Sequence, residues 1–133
     1  MLSKKQTRLQ IQYWLNSSRE KLKTMRGLYQ IRRYADCLFF GHLILEQALK
    51  ANVVNERKII PPRTHNLVHL ARLANLVLEE NDLKFLADAD AFNMKVRYPD
   101  ERLAFYKKCT RQYTNRYYNP IIFLYKKLCR RVK

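Results

Sequence analysis

Leu28, Ile31, Ala35, Leu38, His42, Leu45 and Leu49 follow one another at alternating steps of three and four residues. An α-helix turns once every 3.6 residues, so such positions return to a single stripe that can be turned away from water. The spacing predicts a long helix over about 29–55, buried along one face throughout, as the spine of the fold. Only two glycines, Gly27 and Gly41, and four prolines punctuate the 133 residues. A β-sheet protein of this size needs many turns built from those residues, so helix is the expected state everywhere.

The other segments divide in the same way. Ile11, Trp14, Leu15, Ser18, Leu22 and Met25 predict a first helix over roughly 6–26, with Gly27 as its stop. Residues 56–63, ERKIIPPR, read as a loop, and Thr64 stands where a side-chain oxygen would cap the next helix. Leu67, Leu70, Ala71, Ala74, Val77 and Leu78 then mark a third helix ending near Glu79. A fourth, capped by Asn81 or Asp82 and lined by Phe85, Ala89, Phe92 and Val96, should stop near Arg97, because Pro99 disfavours helical backbone at Tyr98. Residues 100–113 lack a clean repeat and read as a loop with at most one short turn. The last helix, with Ile121, Leu124, Tyr125, Leu128 and Val132 inward, starts at Thr114 or Asn119, and Pro120 favours the later start. The expectation is an all-α fold, an up-and-down antiparallel bundle of four to five helices, forming one domain over 1–133.

Charge narrows the partners. Twenty-seven Lys and Arg stand against eleven Asp and Glu, a formal net charge of +16. Ten basic residues and no acidic one fall between Arg102 and Lys133, while between Glu79 and Glu101 seven acids face three bases. A potential this positive gathers phosphates, so nucleic acid, a nucleotide or an acidic protein partner would answer it, as would a surface that only keeps the chain soluble. The three cysteines show no paired or zinc-ligand spacing and are expected to be reduced thiols; no metal and no cofactor is implied. The N-terminal segment has no apolar run behind its basic residues, and no stretch reads as a membrane span, so neither export nor membrane insertion is expected and the cytoplasm is the expected compartment.

Four sets of residues carry possible chemistry. Arg63 and His69 stand six apart, a spacing at which a cation and an imidazole could together cleave RNA without metal. With fourteen arginines and three histidines such a match arises by accident roughly half the time. The expected cap at Thr64 also puts Arg63 outside the helix that would carry His69. His42 lies in the apolar stripe as a buried imidazole, or as one corner of a phosphate grip with His65 and Arg97 at the expected ends of helices three and four. Arg97 and Tyr98, in "RYPD", suit a nucleotide, with arginine on phosphate and tyrosine stacked on base, or else a structural joint. The run YTNRYYNPIIFLYKKLCRRVK interleaves tyrosines with cations, which suits single-stranded nucleic acid, an acidic partner, or plain packing.

The stretches CLFFGHLILEQALKANVV, PPRTHNLVHLARL and FNMKVRYPDERLAFYKKCTRQYT, in this order, closely resemble the HEPN family of small helical domains. The resemblance runs from Tyr13 to the final helix. It implies a helical bundle that commonly forms homodimers and is often encoded beside a minimal nucleotidyltransferase in toxin–antitoxin-like modules. Some members are metal-independent ribonucleases with an Arg-x4-6-His motif on a later helix. If Arg97 is the counterpart of that arginine, the histidine would fall at 102–104, where this chain has Arg102, Leu103 and Ala104. The resemblance therefore implies a non-catalytic or weakly catalytic branch that binds nucleotide or RNA phosphate, and the chemistry of the residues themselves makes Arg97, Tyr98, His65 and His42 the candidates for that contact. A ribonuclease toxin and a purely structural interaction domain are the alternatives.

Overall fold

The first helix begins at Lys4, two residues before its expected start. Ser3 Oγ accepts from the Gln6 N–H at 3.1 Å, and Gln6 Oε1 accepts from the Ser3 N–H at 2.9 Å, so two orphan donors of the first turn are satisfied reciprocally. The computed structural model describes residues 1–132, and among them six α-helices and two 3₁₀ turns, with no strand. The helices are α1 (Lys4–Gln30), α2 (Tyr34–Arg57), α3 (Leu67–Leu73), α4 (Glu80–Ala89), α5 (Pro99–Lys108) and α6 (Arg111–Arg130); the 3₁₀ turns Asp90–Phe92 and Met94–Val96 join α4 to α5.

Gly27 does not end α1, which continues to Gln30. The chain turns at Arg32, whose φ of 64° is left-handed. Leu28 and Tyr29 hold the extra turn by packing on the core, Tyr29 stacking on Tyr118 with ring centroids 4.1 Å apart. A glycine in a helix interior costs about 1 kcal/mol against alanine. A Cβ at position 27 would meet nothing within 4 Å. Gly27→Ala should therefore stabilise the protein by about 1 kcal/mol, read as a higher urea midpoint at unchanged slope.

The late turn also moves α2, which starts at Tyr34 and not near 29. Leu28 ends in α1, and Ile31, expected inside the spine's stripe, is 67% exposed, while Leu38 and Leu45 are fully buried. The expectation of one buried face was too narrow as well. Sixteen residues of α2 are buried, and from Ile44 to Val54 the burial is unbroken, because α1, α3 and α6 all pack on this helix. Its composition follows from that position: an 18-residue window of α2 has mean hydropathy 1.2, enough by length and composition to cross a membrane, yet 83% of the window is buried in the bundle.

The hairpin of α1 and α2 is antiparallel, and α6 lies against both. Tyr125 donates to Ser18 Oγ at 2.7 Å, Ser18 in turn donating to the Leu15 carbonyl, which ties α6 to α1. Asn52 Nδ2 donates to the Leu128 carbonyl at 3.1 Å, tying α6 to α2. Gly41 lets the three meet: a Cβ there would stand 2.8 Å from Ile121 Cδ1 and 3.2 Å from Met25 Cε. The short helices α3 to α5 return the chain between the ends of α2 and the start of α6.

Several boundaries differ from expectation for local reasons. The cap of α3 is Asn66, whose side chain accepts from the His69 N–H at 2.9 Å, while Thr64 Oγ1 accepts from the Asn66 N–H one step earlier. This helix stops at Leu73, because Asn75 takes a left-handed φ of 52° and the Arg57 guanidinium donates to the Leu73 carbonyl at 2.6 Å, so Val77 is 92% exposed. Glu79 and not Asn81 or Asp82 precedes α4, which ends at Ala89 and leaves Val96 68% exposed after the 3₁₀ turns. Residues 99–108 are helix, not loop. Only Phe105 of α5 is buried, so no stripe marks it; Pro99 at its start, acids in its first turn and lysines in its last are the signals that do. Thr110 caps α6 by accepting from the Tyr113 N–H at 3.1 Å, and the helix runs through the exposed Pro120, its inner residues supplying the packing that offsets the lost hydrogen bond.

Candidate functional site

His42, Glu46 and Lys50 stand four residues apart on α2, so they share one face and form a polar ladder inside an apolar helix. Their exposures are 0%, 5% and 7%. Burying ions is costly unless each finds partners, and here the partners come from the THNL segment and the first 3₁₀ turn. Glu46 Oε2 accepts from the Lys50 ammonium at 2.9 Å, and Glu46 Oε1 accepts from His65 Nδ1 at 2.8 Å. The Lys50 ammonium also sits 5.1 Å from the centre of the Trp14 ring, a cation–π contact that covers its far side.

The His42 Nε2 atom lies 3.0 Å from the His65 carbonyl and 3.2 Å from Asp90 Oδ1. Both are acceptors, so the hydrogen belongs on Nε2. His42 Nδ1 then faces Glu46 Oε1 at 3.9 Å, buried and without a hydrogen-bond partner. Asp90 Oδ1 additionally accepts from the Leu67 N–H at 3.2 Å. The four residues of THNL thus divide the work of this corner, for Thr64 holds the turn, His65 reaches Glu46, Asn66 caps α3, and Leu67 is buried beside Asp90.

The same hydrogen bonds orient His65. Its Nδ1–H is committed to a buried carboxylate, while its side chain is 49% exposed, which leaves Nε2 to solvent or a ligand. A carboxylate behind an imidazole fixes its tautomer and the direction of the outer nitrogen, the arrangement that a general base needs. Glu46, Lys50 and Asp90 were not among the residues singled out from the sequence. The four-residue step from His42 to Glu46 to Lys50 was the available sign of the first two.

Other expected site residues are placed elsewhere. The structure joins His42 to His65, but Arg97 is not part of that cluster. Its guanidinium donates to the Ala91 carbonyl and lies 5.0 Å from the Phe105 ring centre, so it closes the 3₁₀ turns against α5. Arg102 reinforces the joint by donating to the Met94 and Arg97 carbonyls, both at 3.1 Å. Tyr98 is 75% exposed, and its N–H donates to Glu101 at 3.3 Å. Arg63 lies in the loop before α3 and His69 on the exposed side of α3, so the two do not share a helix face.

The tyrosines of α6 turn inward. Tyr118 stacks on Tyr29, Tyr117 meets Phe92 edge-on at 4.9 Å, and burial pushes the Tyr113 and Tyr125 hydroxyls up to about 12. What α6 presents to water is cationic: Arg111, Arg116, Lys126, Lys127 and Arg130 are exposed, with Phe123 among them at 69% and no acid anywhere in the helix. Lys127 meets Asp82 of α4 at 3.6 Å. Burial also pushes the Cys37 and Cys109 thiols up to about 12, which keeps both protonated at neutral pH. Among the described residues no three His, Cys, Asp or Glu side chains converge to hold a metal ion.

A family model described as the HEPN domain matches residues 11–132 of this chain. No curated protein and no solved structure matches it.

Proposed function

This chain belongs to the HEPN domain family, and from that premise we propose that it binds nucleotide or RNA by the phosphates. It does so as a homodimer in the cytoplasm, beside a minimal nucleotidyltransferase-like partner in a toxin–antitoxin-like module. The observation that carries the reading is the acid-free exposed face of α6 in a chain of net charge +16. Cations arrayed with one counter-charge among them, Asp82 against Lys127, neutralise successive phosphates and release the counterions condensed on them, so affinity falls steeply with salt. With the tyrosines of α6 spent on packing, Phe123 is the exposed aromatic that this helix offers a base to stack on.

The test is the anisotropy of a labelled oligouridylate titrated with the protein at several salt concentrations. Log affinity should fall linearly with log salt, at about 0.7 per phosphate contacted on a single strand. Replacing Arg116, Lys126 and Arg130 by glutamine should flatten that slope by about 2 and weaken binding across all sequences alike. Affinity indifferent to salt would remove the reading.

The Glu46–His65 pair favours a second reading, metal-independent RNA cleavage with His65 Nε2 taking the 2′-hydroxyl proton. It predicts cleavage in EDTA that His65→Ala abolishes and His69→Ala leaves in place. RNA that stays intact at high protein concentration would eliminate it.

A further inference from the structure

A cavity of about 630 Å³ opens between the first half of α1, the turn after α2 and the end of α6, and shares no residue with the histidine–carboxylate network. Its volume is that of a small-ligand site, not of a protein groove. On α1 it is built from one stripe, Lys4, Thr7, Arg8, Ile11 and Leu15, recurring at steps of three and four. Leu2 and Val132 close the apolar wall, Leu2 being pinned by its N–H to the Lys58 carbonyl at 2.8 Å.

Two features set it apart from an ordinary surface dent. Thr7 is only 8% exposed and lines the cavity, yet its hydroxyl is buried without a hydrogen-bond partner. An unpaired buried hydroxyl is costly; it is closed to solvent as it stands, and a turn about the Thr7 χ1 would bring it to the cavity, where a polar atom of a ligand would satisfy it. The charged residues of the lining, Lys4, Arg8 and Lys58, are all cations, and none has an ion-pair partner among the described residues. The Lys58 ammonium already donates to the Asn55 carbonyl, which leaves Lys4 and Arg8 for a ligand.

Those properties discriminate among occupants. No aromatic ring lines the cavity, so a nucleobase would find nothing to stack on. A second copy docking by the same patch would bring these cations against their own duplicates. An alkyl chain ending in an anion satisfies every group present. We propose that the cavity binds a single-chain amphiphile with an anionic head, a fatty-acid carboxylate being its simplest form. The tail lies along Ile11, Leu15, Leu2 and Val132, the head meets Lys4 and Arg8, and the Thr7 hydroxyl, turned about χ1 into the cavity, donates to it.

Titration calorimetry of the full chain with dodecanoate, below its micellar range, tests this. One saturable site per chain is expected, with affinity at least about tenfold above that of a dodecyl trimethylammonium of the same tail, because a charge-assisted contact is worth about a factor of ten or more. Acetate, a head without a tail, should not bind. Arg8→Gln should lower dodecanoate affinity about tenfold by the same contact energy, and Thr7→Val should lower it severalfold. Ile11→Trp, which fills the cavity, should abolish binding while circular dichroism shows native helicity; Leu15→Phe serves if that variant does not fold. Absence of saturable binding, equal affinity for the cationic amphiphile, or binding undiminished by a folded cavity-filling variant would each overturn the proposal. So would self-association of the protein that Ile11→Trp breaks and dodecanoate does not compete with.

Discussion

Glu46→Leu is expected to destabilise the protein by about 3–5 kcal/mol, the usual cost of removing one partner from a buried ion pair. In Lys50, a residue only 7% exposed, the ammonium would keep only the Trp14 face, and His65 would lose the acceptor that orients it. The loss belongs to the uncompensated charge and not to the missing volume, since leucine fills the site comparably. The double variant Glu46→Leu with Lys50→Met should therefore regain most of the stability, because a buried pair replaced by packed apolar side chains is often neutral or better. Urea denaturation of the two variants measures both. A single-variant loss under about 1 kcal/mol would mean that the Lys50 stem lets its head reach water.

The second large effect is expected at Phe92, in the 3₁₀ turn after α4. It is 1% exposed, 4.9 Å from the Tyr117 ring and 5.9 Å from the Phe105 ring. Phe92→Ala should cost about 3–5 kcal/mol through lost burial and the cavity left behind. Because the same turn carries Asp90, which holds His42 and the first N–H of α3, faster amide exchange should appear at 90–96 and around 64–67 together. Phe92→Leu should retain most of the packing and most of that protection. A loss below about 1 kcal/mol for Phe92→Ala, or exchange confined to the turn, would show that Phe92 does not couple the two segments.

The Phe92 prediction, and the part of the Glu46 prediction that concerns His65, rest on contacts between segments far apart in the chain, and that is where reading the sequence stopped. Helices that bury a continuous stripe, α1, α2 and α6, were legible because water itself imposes the three-four repeat. Helix α5 was not, since it buries one side chain and its only marks are proline and charge at its ends. Gly27 misled because a local preference for stopping is worth about 1 kcal/mol and packing beyond the segment outweighs it; Thr64 misled because Asn66, a cap of the same kind two residues on, takes the role. For the site, His42 and His65 could be named as a pair, while Arg97 could not be separated from them without knowing that the chain turns twice after Ala89.

By itself the sequence determined the all-helical class, the central helix, the cationic last helix and the family, because these follow from periodicity, composition and motif order, which are properties of the chain alone. Tertiary structure decided that Glu46 stands between Lys50 and His65, that the tyrosines of α6 face inward, and that Arg97 serves a joint. The physical reason is that a side chain's partners are set by which surfaces meet when the apolar stripes are buried. Residues 19 and 48 positions apart, as His65 from Glu46 and Asp90 from His42, come together only then.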